Sequence, residues 1–109
     1  MMTEVKFVAV ACWLYLGAFS GEYVFEIPIA GQAEPYVGAA SPQYCWDAQG
    51  KRVPEHRLSK ETPTEGLIAA RLLKKENGRS VVAIPDGEVV VVNSEHVHKR
   101  PESSQNVPV

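Results

Sequence analysis

Two segments constrain this chain more than any other feature: Gly21-Glu-Tyr-Val-Phe-Glu-Ile-Pro28 and Gly78-Arg-Ser-Val-Val-Ala-Ile-Pro85. A shift of 57 positions (Gly21 to Gly78) superposes them and matches Gly21 with Gly78, Val24 with Val81, Ile27 with Ile84 and Pro28 with Pro85. Each segment opens on a glycine free to take a turn conformation and ends on a proline that has no N–H for a ladder bond. In the first, Tyr23, Phe25 and Ile27 fall on one face and Glu22, Val24 and Glu26 on the other, the period-two pattern of a half-buried strand. The match extends outward. Leu16 meets Leu73, Gly31 before Tyr36-Val37 answers Gly87 before Val89-Val90, and Ser41 and Ser94 close the two stretches. These are the residues that strand and turn geometry demands. They predict one small β domain over 1–98, made of two similar units at 7–45 and 66–97 that are joined by a loop over 47–65.

The remaining segments follow from turn chemistry and alternation. Val5–Leu16 reads as a strand with apolar residues on both faces, as expected of a central, doubly covered position. Gly17–Gly21 and Ala30–Pro35 read as turns, and Tyr36–Ala40 as a short strand. Pro85-Asp-Gly87 is a turn between the strands Arg79–Ile84 and Glu88–Asn93, because proline presets φ and glycine accepts a positive one. Ser94–Val97 reads as a single 3₁₀ turn. Lys99–Val109 carries two prolines and no periodicity, and is expected to be a flexible tail over 99–109. The loop at 47–65 is long for a compact domain, so it is expected to carry function or to hide a short helix.

Residues 62–78 support two readings. Thr62-Pro-Thr-Glu65 fits a capping box, and Leu67–Glu76 is rich in helix formers. Asn77-Gly78, however, is the strongest short hairpin signal, and the superposition sets Leu67–Lys74 over the strand around Trp13–Leu16. The prediction is a strand, with a helix at 64–77 and an α+β fold as the alternative.

A three-stranded meander alone hides neither its apolar face nor its edges. Two of them give a mostly β fold, either a small barrel or two packed meanders. Ala69-Ala-Arg-Leu-Leu73, followed by Val-Val-Ala-Ile-Pro-Asp-Gly-Glu88, resembles the SH3-like small barrels, Tudor-type domains among them. The resemblance spans roughly residues 66–97 and concerns the fold, so any activity taken from it is analogy. Small trimethoprim-resistant reductases on this fold work through a Val-Gln-Ile-Tyr segment. Glu88-Val-Val-Val-Val-Asn93 lacks the glutamine and the tyrosine.

Composition removes several function classes. Thirteen acids against 11 bases give a formal charge of −2, which offers no bulk attraction to nucleic acid or to an anionic membrane. Cys12 and Cys45 are too few for a disulfide scaffold and fit no zinc spacing. Phe7–Leu16 is too short to span a bilayer. With Ala18-Phe-Ser20 behind it, this run gives a cleaved secretory leader as the alternative to the expected cytoplasmic location.

The candidate sites are few. Tyr36, Tyr44 and Trp46 with Asp47 can form an aromatic groove beside a carboxylate, suited to a cationic or proline-rich ligand, or can plug one end of a barrel. His96 and His98 share a face of an extended segment, a spacing that can chelate a metal. Cys45, Asp47 or His56 would supply the third ligand, and two solvated histidines are the plainer account. Lys51, Arg52, Arg57 and Lys60 make the 51–60 loop locally basic, but Asp47, Glu55 and Glu61 interleave with them. Phosphate-cradling glycine loops and paired catalytic acids are absent from the sequence, and no cofactor is expected. The leading expectation is an interaction module that binds a protein or peptide partner or itself. A small metal-binding protein or enzyme using His96, His98 and Cys45 is one alternative. Nucleic-acid binding through 51–60 is the other.

Overall fold

The structure is a computed structural model, and it describes residues 6–101. Its eight strands are β1 (Lys6–Leu16), β2 (Tyr23–Ile27), β3 (Tyr36–Ala40), β4 (Cys45–Asp47), β5 (Thr64–Glu76), β6 (Arg79–Ala83), β7 (Val89–Asn93) and β8 (Val97–Lys99). Short 3₁₀ turns occupy Pro42–Tyr44, Glu55–Arg57 and Ser94–His96. All pairings are antiparallel, in the order β3-β2-β1-β5-β6-β7, with β8 added to the edge of β1 and β4 to the edge of β5. The sheet curls into a nearly closed barrel. Across the remaining seam the Ala30 N–H donates to the Val91 carbonyl at 2.9 Å, and the Tyr36 hydroxyl donates to Asp86 Oδ2 at 2.5 Å.

Residues 64–76 form a strand, and the helical alternative falls. Asn77 and Gly78 both adopt positive φ, 52° and 76°, which a two-residue hairpin of the primed type requires. Helix propensity amounts to only tenths of a kcal/mol per residue. Here it competes with a ladder to β1 that runs from Lys6·Leu72 to Leu14·Thr64 and with burial of Ile68, Ala69 and Ala70 on both faces. A small residue is needed at Gly66, where an added Cβ would strike the Leu14 side chain and come within 2.7 Å of the Trp46 carbonyl.

The pairing scheme maps onto itself about the facing pair Val10·Ile68 at the middle of the β1·β5 ladder. β2 flanks the far end of β1 as β6 flanks that of β5, and β3 lies on β2 as β7 lies on β6. β4 places Cys45 beside Ile68 and Asp47 beside Gly66, while β8 places Val97 beside Val10 and Lys99 beside Val8. Each half therefore sets its last short strand on the first strand of the other.

One face of the central pair looks inward. Val10, Leu14, Phe25, Ile27, Ile68, Val82 and Val92 make a single core, and burying these branched and aromatic side chains drives the fold. The long loop is tied to it. Val53 and Leu58 are buried on either side of the Glu55–Arg57 turn, Tyr23 donates its hydroxyl to the Val53 carbonyl at 2.8 Å, and the Leu16 N–H donates to the Ser59 carbonyl at 2.9 Å. Phe7–Leu16, read above also as a leader, supplies Val8, Val10, Cys12 and Leu14 to this core. The free tail expected from Lys99 onward meets a strand instead: Lys99 pairs with Val8, and Arg100 donates to the carbonyls of Val8 and Ala70. The rest of that segment, 102–109, lies outside the described residues. Among the described residues no helix is long and apolar enough to cross a membrane.

Candidate functional site

The outer face of the β1·β5 pair is closed on one flank and open on the other. On the closed flank Trp46, Ala9 and Ala69 form a second, smaller apolar cluster, with Tyr44 and Leu67 packed against it. Trp46 is 0% exposed, and Arg52 covers its ring at 5.3 Å from the centroid. Further along this flank, Arg100 stands 5.1 Å from the centroid of the Phe7 ring.

The open flank has smaller side chains at the matching positions. By the registers about Val10·Ile68, His98 stands where Trp46 does, His96 where Tyr44 does, Glu65 where Phe7 does and Ala48 where Arg100 does. These four residues line a cavity of about 330 Å³. Its apolar wall includes Ala11, Leu67 and Trp13, the last 40% exposed. Trp13 faces Glu65 across the ladder, so a ring and a carboxylate stand side by side at the rim. Among the described residues the Nδ1 atom of His96 is buried without a hydrogen-bond partner.

Of the aromatic set singled out in the sequence, the fold keeps Tyr44, Trp46 and Asp47 together and sets Tyr36 apart. Tyr36 lies at the barrel seam, tilted against Phe25 at 6.2 Å between centroids, and its hydroxyl is pushed up to about 12 by its bond to Asp86, then by desolvation. Tyr44 packs beside Trp46 on the closed flank. Asp47 is buried and turns the chain, accepting from the N–H groups of Gln49 and Lys51 at 2.9 Å each, with Arg57 3.7 Å away. Two cations of the 51–60 loop are thus engaged internally: Arg57 with Asp47, and Arg52 with the Trp46 ring and, at 2.6 Å, with the Gln43 carbonyl.

His96 and His98 do meet at one cavity, but Cys45 is not beside them. It faces the core next to Ile68, and burial pushes its thiol up to about 12. Cys12 borders the cavity, and desolvation raises its thiol well above the ordinary value. Neither cysteine supplies a ready thiolate near neutral pH, which is the form that binds metal or attacks carbon. Among the described residues no group of three or more His, Cys, Asp or Glu side chains can hold a metal.

Trp13 and Glu65 also line this cavity and were not among the residues singled out in the sequence, although a signal existed. Trp13 shares its face with two alanines, Ala9 and Ala11, an arrangement that leaves a large ring beside a shallow surface. Glu65 lay inside the disputed 62–78 segment, so its position across from Trp13 depended on the strand. Comparison with family models, with curated proteins and with solved structures returned no match.

Proposed function

We propose that this protein is a binding module that takes a segment of a partner polypeptide into the open groove beside Trp13. One observation carries the reading: at corresponding places the closed flank is filled by Trp46 and Tyr44, whereas His98 and His96 leave a cavity of about 330 Å³. Concave, mainly apolar sites with a few convergent polar groups are the usual form of a recognition pocket. Trp13 supplies a rigid anchor ring and Glu65 a charge, while His96 and His98 offer imidazole nitrogens. The self-mapping strand pairing and the Gly21–Pro28 and Gly78–Pro85 match together support reading the two halves as one repeated unit. On that reading the second unit carries Glu65, His96 and His98 where the first carries Phe7, Tyr44 and Trp46, and the groove lies beside these smaller side chains.

The test is a random peptide display library panned against the folded protein and against Trp13→Ala. Peptides that bind the wild type, lose at least about tenfold in affinity on Trp13→Ala and shift the Trp13 indole resonance support the reading, since interface tryptophans commonly contribute 2 kcal/mol or more, roughly a factor of 30. Peptides that bind both proteins alike, or that shift only residues elsewhere, overturn it.

A second reading has its own observation. β3 and β7 end the sheet order, and they carry Val37 and Val89, each more than half exposed. Exposed valines on terminal strands favour pairing between copies of this chain. Sedimentation equilibrium that fits a monomer at every concentration removes that reading.

A further inference from the structure

Resting on the groove reading above, we infer that the partner residue seated in the groove is an arginine, held as the chain's own Arg100 is held on the closed flank. Arg100 lies over the outer face with Nε donating to the Val8 carbonyl at 3.3 Å and Nη2 donating to the Ala70 carbonyl at 2.9 Å, its guanidinium above the Phe7 ring. Val8 and Ala70 are a facing pair of the β1·β5 ladder. On the other side of Val10·Ile68 the matching pair is Cys12·Gly66, and both residues border the open cavity. The backbone there repeats the two-carbonyl acceptor that Arg100 uses. Only the arginine is missing, because the residue after Asp47 is Ala48 whereas the residue after Lys99 is Arg100.

The surrounding side chains favour a guanidinium from outside more than the closed flank favours its own. Where Phe7 gives Arg100 a ring, Glu65 gives the groove a carboxylate, and a carboxylate with a guanidinium forms charge-assisted, bidentate bonds. Trp13, directly across the ladder from Glu65, supplies the aromatic face on which guanidinium stacks best. A planar fork of donors fits two carbonyls and a carboxylate at fixed positions. An ammonium, with its donors at a single point, fits them less well. Among the described residues the groove lining has no basic side chain other than the imidazoles of His96 and His98.

The experiment titrates isotope-labelled full-length protein with the blocked pentapeptide Ala-Ala-Arg-Ala-Ala and with its lysine and citrulline counterparts, following the indole N–H resonances of Trp13 and Trp46. The expected result is a saturable shift at Trp13 with little at Trp46, and binding at least about tenfold weaker for citrulline, which keeps the shape of arginine and loses its charge. Glu65→Gln should weaken the arginine peptide by a comparable factor. Ala48→Arg should fill the groove from within and abolish binding, with a urea midpoint no lower than that of the wild type. Should Ala48→Arg fail to fold, Glu65→Gln and the citrulline comparison decide the matter. Equal affinity for arginine and citrulline peptides, or binding that survives both substitutions, overturns the arginine assignment. Display-selected peptides that lack arginine yet depend on Trp13 would sink this inference and leave the groove reading standing. Binders indifferent to Trp13 sink the groove reading itself.

Discussion

On one flank of the β1·β5 ladder Trp46 and Tyr44 lie against Ala9, Ala69 and Leu67, with the indole fully buried; on the other, His98 and His96 stand at the corresponding places and about 330 Å³ stays open. The strand registers are the same in both, and the side chains differ in volume and in charge. The closed flank gains from apolar burial. An indole that removes ~200 Å² from water contributes about 5 kcal/mol at 25 cal/mol per Å², enough to offset the cost of about 1–3 kcal/mol for the Trp46 Nε1–H, which is buried with no partner among the described residues. The open flank forgoes that gain and keeps an aromatic ring, a carboxylate and two imidazoles within reach of solvent. On the proposed reading, stability and recognition fall to different flanks of one ladder, each built from both sequence units.

The largest effect expected from this division is at Trp46. Trp46→Ala should cost about 3–5 kcal/mol, the range for large-to-small changes at fully buried aromatic positions, whereas His98→Ala at the matching position should stay within about 0.5 kcal/mol. Urea denaturation of the two variants makes the comparison. Equal losses would mean that His98 is a packing residue after all and that the two flanks do the same job.

Next in size is Arg100→Ala. It removes two side-chain bonds to the Val8 and Ala70 carbonyls and the contact with Phe7, for an expected loss of about 1–2 kcal/mol after allowing for partial exposure. Arg100→Lys should recover less than half of that, because an ammonium cannot serve both carbonyls from above the ring. Full recovery by lysine would show that only charge matters there, and would weaken the case for a forked donor on the open flank as well.

Alternation and turn chemistry made most of the sheet legible in the sequence. Tyr23, Phe25 and Ile27 all point inward as their spacing requires, and Tyr36–Ala40 and the 3₁₀ turn at Ser94–His96 fall where the residues indicated. The segment 62–78 was ambiguous for a physical reason: Ala69, Ala70 and Leu72 suit a helix by intrinsic preference, and only pairing with β1, a contact distant in sequence, decides otherwise. The site was harder to see. Trp46 and Asp47 look functional in the chain because aromatic and acidic residues often are, yet one fills a cluster and the other ties a turn. Glu65 meets Trp13, and Ala48 takes the place matching Arg100, only through strand registers that no local pattern encodes.

The cysteines sharpen the contrast in another way, since Cys12 borders the open cavity and Cys45 lies in the core. Burial raises both thiols, Cys45 to about 12 from an ordinary 9.0. Iodoacetamide at pH 8 should therefore leave both unmodified in the folded protein and alkylate both in urea. A folded-state pKa above the unfolded one means that the stability linked to Cys45 is complete below pH 9 and is lost as pH rises toward 12. Urea midpoints should fall over that alkaline window, and Cys45→Ala should flatten the fall. Modification of Cys12 ahead of Cys45 in native protein would show that the cavity opens inward as far as the thiol.

The smallest effect expected is at the barrel seam, where the two end strands differ: β3 carries Gly38, Ala39 and Ala40, and β7 carries Val90, Val91 and Val92. Gly38 is needed, since a Cβ there would come within 2.6 Å of the Phe25 ring and 2.7 Å of Asp86 Oδ2. That close approach lets Tyr36 reach Asp86 across the seam. Tyr36→Phe removes a single exposed hydrogen bond, so the expected loss is about 0.5–1 kcal/mol, at the low end for such bonds because water competes for both partners. The spectroscopic consequence is clearer than the energetic one. With Asp86→Asn the Tyr36 hydroxyl should titrate closer to the ordinary 10.0 than to about 12, because the carboxylate bond is the leading cause of its shift. In the wild type the bond's contribution is intact below pH 10 and is lost as pH climbs through 12. A Tyr36 titration that ignores Asp86→Asn would mean that the seam is held by the Ala30–Val91 backbone bond alone and that its two sides are free to part.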